Sequence, residues 1–565
     1  MKVSVAVVVL STLCVSALGG VVLEDVERAS DIIPDIEPLE SPDEQQSRNE
    51  EEENKLLTYG YLAFSGQFPY HAEVRIKPKS LTYFHTCAGS LITLKYILTT
   101  AACLYPWVHE DNIEYAFVTL GSLFDDNPQG DQRINFTGNE IKTHPFYEYP
   151  NYELYNIATI RLDCPATPNK YVQPIRMPRI SDFRTYEMME GTATGAAFVG
   201  GLKYLRNQVM SNADCQQEIL PAYIISAQHL CTNSYIGGVF CNREYGSSLT
   251  IEDENGRVLV GFTDHVFGCS SNYPTRHVRI SYFRDWIQMN SDYVFELMKA
   301  SIAVVVCFAA LSFSVIVVLA QSQNRLSTDG YLAFPGQFPY HAELRIKPKN
   351  NNNVRTCGGI LITQRFLLTT AACVRYEPNN IEYAYATLGS VVNGDTQWQQ
   401  HINFTGNGMR YHLSSVGAMY GHYDIGTIGL ERPATLNQYV QLIRLPRLSD
   451  TRTFAMMEGT AASGRGGDGL RYLRNQVMTN EDCHQAIQPL YNISDQHICT
   501  DTWKGGAFCL RNTGSALTVV DENGPLLVGV GNLIVHCDYN YPIRHMRVSY
   551  FLEWIQLYSD YKFEP

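Results

Sequence analysis

Short runs of alternating hydrophobic and polar residues fill most of the chain and predict β-strands. Residues 72–76 alternate apolar and charged side chains, as a half-buried strand does. Similar short apolar runs, separated by glycine, proline, asparagine and aspartate, continue along the sequence. A helical spacing occurs at two places, at Phe283, Trp286 and Ile287 and at Phe551, Trp554 and Ile555. The pattern predicts an all-β fold with a short helix at the end of each of two units.

The chain contains the same unit twice. Residues 60–73 correspond almost residue for residue to 330–343, and residues 204–210 are identical to 472–478. The period of about 270 residues is far longer than the repeats of 20–50 residues that build solenoids. The repeat therefore predicts two duplicated domains, at 56–297 and 326–565.

An apolar segment resembling a secretory signal peptide precedes each copy. Residues 1–20 combine a lysine, an apolar core and small residues before a cleavage point. Residues 298–320 repeat this arrangement, beginning Met-Lys and ending Val-Leu-Ala. The alternative is a transmembrane helix at 302–320, which is long enough to span a bilayer but would place the two copies on opposite sides of it. We therefore expect an internal signal sequence, either cut by signal peptidase or created by fusion of two genes, followed by a short linker at 321–325.

The negative charge is concentrated in one segment. The formal net charge is −14, and residues 21–55 hold 13 acidic but only 3 basic residues, which predicts a disordered acidic segment. This charge argues against nucleic acid and against an anionic membrane as partners. Neither a metal-ligand spacing nor a phosphate-binding glycine motif occurs, so we expect no metal and no cofactor.

Three cysteine separations, of 16, 16 and 28 residues, recur in the same order in both copies. The couples are Cys87 and Cys103, Cys215 and Cys231, Cys241 and Cys269, and then Cys357 and Cys373, Cys483 and Cys499, Cys509 and Cys537. In a secreted protein this predicts three disulfides per copy, with the connectivity left open by the spacing. Cys164 has no counterpart, so we expect either a buried small hydrophobic residue or a bridge between molecules. Sequons at Asn135, Asn403 and Asn492 predict glycosylation and also favour secretion.

One cysteine-bounded motif appears in both copies. Residues 87–92 lead into 98–103, and residues 357–362 lead into 368–373, each ending Leu-Thr-Thr-Ala-Ala-Cys. Both stretches resemble the histidine motif of the trypsin/chymotrypsin-like serine proteases, family S1. The resemblance implies two six-stranded antiparallel β-barrels and a C-terminal helix per copy, and a disulfide within each of the six cysteine couples.

The same resemblance implies that the catalytic triad is degenerate. The positions of the base, the orienting aspartate and the nucleophile hold Ala102, Asn156 and Tyr245 in the first copy and Ala372, Asp424 and Thr513 in the second. Alanine cannot accept a proton, and without a base the hydroxyl of Thr513 is not activated. His422, two residues before Asp424, is expected to be an ordinary loop histidine.

Other positions that the resemblance links to activity also depart from the family. They are Arg243 and Arg511 for the oxyanion glycine, Glu244 and Asn512 for the aspartate that binds the new N-terminus, and Val239 and Ala507 for the base of the specificity pocket. Phe240 and Phe508 replace a small residue beside that pocket, and we expect them either to fill it or to pack in the core. The sequence does not decide whether the chain is cut after Lys55 or Arg325. The activation that such a cut triggers in the family is compromised, because the residue that binds the new N-terminus is replaced.

These residues predict a secreted, catalytically inactive serine protease homologue of the insect type, in two tandem copies. The resemblance implies a binding partner, cofactor or decoy in an extracellular protease cascade, with active serine proteases or their inhibitors as candidate partners. One alternative is an active or regulated serine endopeptidase, which needs compensation at several positions in each copy. The other is a membrane-tethered pair of protease-like binding domains, which requires 302–320 to stay uncleaved.

Overall fold

The structure, a computed structural model, describes most of residues 60–296 and 330–563. The described ranges exclude the internal segments 109–111, 122–130, 149–153, 198–200, 220–222, 235–236, 241–244, 267–272, 350–352, 377, 390–397, 417–420, 466–468, 488–491, 503–505, 509–512 and 533–540. The predicted signal peptide, acidic segment and internal signal-like segment therefore lie outside the described residues. Within those residues, no helix combines the length and the apolar character needed to cross a bilayer.

The first copy is built from fourteen described strands and three short α-helices. The strands are β1 (Tyr61–Leu62), β2 (His71–Pro78), β3 (His85–Thr93), β4 (Tyr96–Thr99), β5 (Ile113–Leu120), β6 (Gln132–Phe136), β7 (Ile141–Thr143), β8 (Ala158–Arg161), β9 (Glu190–Ala197), β10 (Gly201–Met210), β11 (His229–Thr232), β12 (Ser248–Asp253), β13 (Gly256–Val266) and β14 (Thr275–Arg279). The helices are α1 (Ala101–Val108), α2 (Asn212–Glu218) and α3 (Arg284–Met289).

These strands form two antiparallel sheets. One has the order β6-β5-β2-β3-β4-β8-β7, and the other has the order β1-β10-β11-β14-β13-β12-β9. In the second sheet β9 also pairs with β10, so six strands close into a barrel with β1 attached to β10.

The second copy repeats this arrangement. Its strands are β15 (Tyr331–Leu332), β16 (His341–Pro348), β17 (Arg355–Leu361), β18 (Phe366–Thr369), β19 (Ile381–Leu388), β20 (Gln400–Asn403), β21 (Met409–Tyr411), β22 (Gly426–Gly429), β23 (Glu458–Arg465), β24 (Gly469–Gln476), β25 (His497–Thr500), β26 (Ala516–Asp521), β27 (Gly524–Gly531) and β28 (Ile543–Arg547). Its helices are α4 (Ala371–Val374), α5 (Asn480–Ile487) and α6 (Leu552–Leu557). Its sheets run β20-β19-β16-β17-β18-β22-β21 and β15-β24-β23-β26-β27-β28-β25.

The prediction of two tandem all-β domains with barrel-like sheets is confirmed, but each described sheet has seven strands rather than six. In the first copy, one extra strand arises because a 3₁₀ turn at Gly138–Glu140 separates β6 from β7. The other is the two-residue β1, which joins the edge of β10. The higher strand count therefore comes from one divided strand and one short edge strand.

Alternation of side chains places the core as the sequence predicts. In β2, Val74 and Ile76 are fully buried, whereas Glu73 and Arg75 are half-buried. At the C-terminal helices, Ile287 of α3 and Ile555 of α6 are fully buried and pack into the core of the second sheet of each copy. The predicted strand period and helical spacing are both confirmed.

Disulfides link four of the six cysteine couples. They are Cys87–Cys103, Cys215–Cys231, Cys357–Cys373 and Cys483–Cys499. The remaining couples, Cys241 with Cys269 and Cys509 with Cys537, lie outside the described residues. The first disulfide of each copy ties a strand of the first sheet to the helix that follows β4 or β18.

The expectation of a buried Cys164 is wrong, because its thiol is free and exposed. It follows β8 in a segment without regular secondary structure, in which Asp163 and Pro165 are also exposed. The equivalent position of the second copy is Arg432, which is also exposed.

We expect the exposed thiol of Cys164 to form an intermolecular disulfide in the oxidising medium, since a thiol there is available for exchange. Non-reducing electrophoresis should show a covalent dimer that disappears in Cys164→Arg, which introduces the residue of the second copy. Stability should change by no more than about 0.5 kcal/mol, as for other exposed substitutions. Peptide mapping that finds Cys164 bonded within its own copy would contradict this expectation.

Candidate functional site

The positions predicted for base and orienting residue are neighbours in both copies. The backbone N–H of Ala102, in the first turn of α1, donates to Oδ1 of Asn156 at 2.8 Å. The backbone N–H of Ala372, in α4, donates to Oδ1 of Asp424 at 2.7 Å. In each copy, the side chain predicted to orient the base therefore contacts the alanine predicted to replace it.

Burial decides what these two orienting side chains can do. Asn156 is 2% exposed, and within the described residues its Nδ2 has no hydrogen-bond acceptor. Asp424 is 7% exposed. Burial raises the pKa of the Asp424 carboxyl, although the Ala372 N–H and the guanidinium groups of Arg375 and Arg544 oppose the rise. Both residues serve as buried acceptors for a helix N–H, and neither holds an imidazole.

Sequence reasoning missed the tyrosine that precedes each orienting residue. Tyr155 has φ 56° and Tyr423 has φ 53°, a left-handed conformation that is uncommon for a bulky residue. The ring of Tyr155 stacks on His144 at 4.7 Å between centroids, and its N–H donates to Gln228 Oε1 at 2.8 Å. Tyr423 repeats both contacts. Since no periodicity encodes a positive φ, only the repetition of Tyr at this position could have drawn attention to it.

The nucleophile position lies where the two sheets of each copy meet. The Tyr245 carbonyl, just before β12, accepts a hydrogen bond from the N–H of Ala88 in β3 at 3.0 Å. The Thr513 carbonyl accepts from the N–H of Gly358 in β17 at 2.9 Å. Ala88 adjoins Cys87, whose disulfide leads to Cys103 beside Ala102. The strand that contacts Tyr245 is therefore joined by a disulfide to the residue next to Ala102.

A glycine directly after each nucleophile position allows the loop to lie close to the neighbouring strand. Gly246 has φ +85°, and a Cβ there would lie 2.0 Å from the carbonyl oxygen of Ala88. Gly514 has φ +84°, and its Cβ would lie 2.2 Å from the carbonyl oxygen of Gly358. Only glycine fits at such a distance. The close backbone contact therefore depends on glycine at this position in both copies.

His422 occupies a turn and contacts two side chains of the second sheet's region. Its Nδ1 lies 2.8 Å from Nε2 of Gln496, and its ring packs edge-on against His497 with centroids 5.0 Å apart. Burial and the nearby Arg544 lower its pKa. These contacts agree with the loop role predicted for it.

Two groups of sequence-predicted positions lie outside the described residues. They are the oxyanion and activation positions, Arg243, Glu244, Arg511 and Asn512, and the candidate cleavage residues Lys55 and Arg325.

The pocket position Phe508 packs in the core. It is 8% exposed and belongs to the cluster that contains Phe454, Leu473 and Leu517. Its ring also lies against the backbone of Gly330, where a Cβ would be 3.0 Å from the ring edge. The second copy therefore follows the core alternative.

The remaining pocket positions are covered to differing degrees. Phe240 is half-buried and packs on Gly60 in the same way as Phe508 packs on Gly330. Val239 is buried and Ala507 is half-buried. None of these side chains carries a charge that could bind a basic substrate residue.

One group of potential metal ligands occurs among the described residues, at His85, Cys87 and Cys103. Both sulfur atoms belong to one disulfide, so no thiolate is available to a metal ion. The sequon asparagines Asn135, Asn403 and Asn492 are all exposed, as glycosylation requires.

Two antiparallel sheets per copy, in two tandem copies, define a trypsin-like class of protein. The trypsin family model matches residues 58–287 and 328–555, so the chain belongs to this family and carries its domain twice in tandem.

Curated relatives match over about one copy. The chain is 30% identical over 242 residues to brachyurin from Leptuca pugilator, covering 40% of this chain and 96% of the relative. It is 29% identical over 246 residues to a collagenase from Hypoderma lineatum, covering 42% and 87%. It is also 29% identical over 219 residues to glucanase inhibitor protein 3 from Phytophthora infestans, covering 35% and 76%.

Proposed function

We propose that the protein is a secreted, catalytically inactive trypsin-family protein whose two domains bind other proteins of an extracellular protease cascade. The observation that carries the proposal is the contact between orienting residue and alanine in both copies, Asn156 with Ala102 and Asp424 with Ala372. Acyl transfer by this family needs a base at that point, and none is supplied. Because the base is replaced in both copies, the proposal covers both domains and not one inactive domain paired with an active one.

Disulfides and exposed sequons support secretion. Four disulfides occur among the described residues, and such bonds persist in oxidising compartments. The predicted signal peptide at 1–20 and the signal-like segment at 298–320 agree with this location.

The relatives of this chain support both proteolysis and binding as functions of this fold. Brachyurin and collagenase are similar to this chain over one domain, but so is a protein named as a glucanase inhibitor. A trypsin-family domain can therefore act by binding a target. The replaced triad favours binding here over an endopeptidase, the competing function.

The binding role is tested by adding the purified protein to secreted trypsin-like zymogens, their active proteases and their protein inhibitors. We expect saturable binding to at least one of these, with a dissociation constant on the order of 1 μM or lower. A cofactor should also change the rate of zymogen activation, and a decoy should relieve inhibition. Reduced and alkylated protein serves as the control, because it loses the disulfides and hence the fold. Absence of binding across all three classes at 10-fold higher concentration, about 10 μM, would contradict the proposal.

A further inference from the structure

Four charged side chains join the two copies to each other. Nε of Arg206 in β10 donates to both carboxylate oxygens of Glu458 in β23, at 2.9 and 2.7 Å. Nε of Arg474 in β24 donates to both carboxylate oxygens of Glu190 in β9, at 2.8 and 3.0 Å. We refer to these four residues as the Arg–Glu quartet.

Each arginine of the quartet is also held within its own copy. Nη1 of Arg206 lies 3.2 Å from Glu190 and 2.7 Å from Oγ1 of Thr192. Nη1 of Arg474 makes the same two contacts, to Glu458 at 3.2 Å and to Thr460 at 2.9 Å. Contacts within each copy therefore fix the orientation of its guanidinium group.

The quartet is closed off from water. The side chains of Glu190 and Glu458 are 6% exposed, that of Arg206 is 8% exposed and that of Arg474 is 10% exposed. Burial raises the pKa of the Glu190 carboxyl, and the guanidinium groups of Arg474 and Arg206 oppose the rise. Buried charges of this kind are tolerated only when paired, and removing one partner is strongly destabilising. Each copy therefore supplies the counter-charges that the other needs.

The contacts are reciprocal, as in a two-fold symmetric dimer. Arg206 corresponds to Arg474 and Glu190 to Glu458 in the repeat, so that each copy presents one arginine and one glutamate to the same pair on the other. This is the pattern of an isologous interface, in which one surface patch pairs with itself. Contact between the copies extends beyond the quartet, since Phe334 of the second copy lines a groove of about 710 Å³ together with Arg176 and Phe183 of the first.

We propose that the β9–β10 surface of the first domain is a docking site for the β23–β24 surface of the second, and that the two domains remain a non-covalent pair when the segment between them is cut. The partner is fixed by chemistry, because only a surface that offers a glutamate and an arginine in the reciprocal arrangement matches all four charges. This inference does not depend on the absence of catalysis.

The test uses the full chain, with a C-terminal affinity tag and a site for a sequence-specific protease within 321–325. After cleavage, size-exclusion chromatography with light scattering at about 1 μM should show both domains in one particle, since charge-paired interfaces of this type reach such affinities. The informative variant is Glu190→Arg combined with Arg206→Glu. It keeps the ion pair inside the first copy with reversed polarity but sets like charges against Arg474 and Glu458. We expect the dissociation constant to rise about 100-fold or more.

Adding Glu458→Arg and Arg474→Glu to that variant restores opposite charges across the contact and should restore the particle. The matched control, Glu140→Arg with Arg161→Glu, reverses an ion pair between the 3₁₀ turn at Gly138–Glu140 and β8 of the first sheet and should leave association unchanged. If the double variant is not secreted, Glu458→Gln removes one charge at constant shape and should weaken association at least about 10-fold. Domains that separate in the wild type after cleavage, or that stay together unchanged in the double variant or in Glu458→Gln, would overturn the proposal.

Discussion

Neither fluorophosphonate probes nor peptide substrates will detect serine protease activity in the secreted protein. Loss of the triad typically lowers the rate by about 10⁴–10⁶-fold, and the family resemblance places Ala102 and Ala372 at the position of the base and Tyr245 and Thr513 at that of the nucleophile. Mass spectrometry after incubation with the probe should show unmodified protein under conditions in which trypsin is labelled completely. Labelling of Tyr245 or Thr513 would contradict the proposed function directly.

A repaired variant sharpens this test. Ala372→His with Thr513→Ser rebuilds a triad beside the retained Asp424, which already faces position 372. The sequence still places Arg511 where the oxyanion glycine belongs, and loss of one oxyanion donor costs about 10²–10³-fold. We expect the repaired variant to stay at least about 100-fold below an active family member. Activity equal to that of such an enzyme would show that the loop around 511 is competent.

Stability will fall steeply as the pH drops from about 6.5 to about 4. Burial lowers the pKa of His71, His341 and His277 to about 4 and that of His497 and His545 to about 3, although Asp264 partly opposes the shift at His277. The unfolded chain takes up these protons near pH 6.5, whereas the folded protein does not until about pH 4 or 3. The unfolded state therefore binds more protons in this window, so the stabilisation is present above pH 6.5 and lost below it.

The size of this loss follows from the shift. A shift of about 2.5 units corresponds to roughly 3 kcal/mol for each buried histidine of this kind, and the first copy holds two of them and the second three. Because typical domains are stable by about 5–15 kcal/mol, much of the stability of each domain should disappear by pH 4.

Urea denaturation followed by tryptophan fluorescence at pH 7, 6, 5 and 4 measures this dependence. His277→Gln and His545→Gln remove one such group per copy. Their slope of stability against pH should fall by about 1.4 kcal/mol per pH unit for each copy, although stability at pH 7 decreases because contacts with Thr232 and Thr500 are lost. A midpoint that is independent of pH between 7 and 4.5 would rule out buried neutral histidines.

The elements that local pattern and repetition encode could be predicted from the sequence. The strand at 72–76, the helices near Trp286 and Trp554, and the tandem domains follow from period and repeat alone. The approach of Ala102 to Asn156 follows from the family motif, because the motif carries its geometry with it.

Features set by tertiary packing could not be predicted in this way. Arg206 and Glu458 are 252 residues apart, and each alone looks like a surface charge. Phe508 could have filled a pocket or the core, and only the packing around Leu473 and Leu517 decides it. For Cys164 the sequence leaves open a buried site or a bridge between molecules, and the structure decides against burial.

Asn156 and Asp424 have one structural role in common, which does not depend on catalysis. Both side chains offer one oxygen to a helix N–H, at 2.8 and 2.7 Å. A carboxylate is required only while an imidazolium has to be stabilised, whereas an amide oxygen satisfies the same N–H equally well. Asparagine and aspartate can thus both fill this position, as the two copies show. An amide at position 424 would make the same contact without a carboxyl whose pKa burial raises.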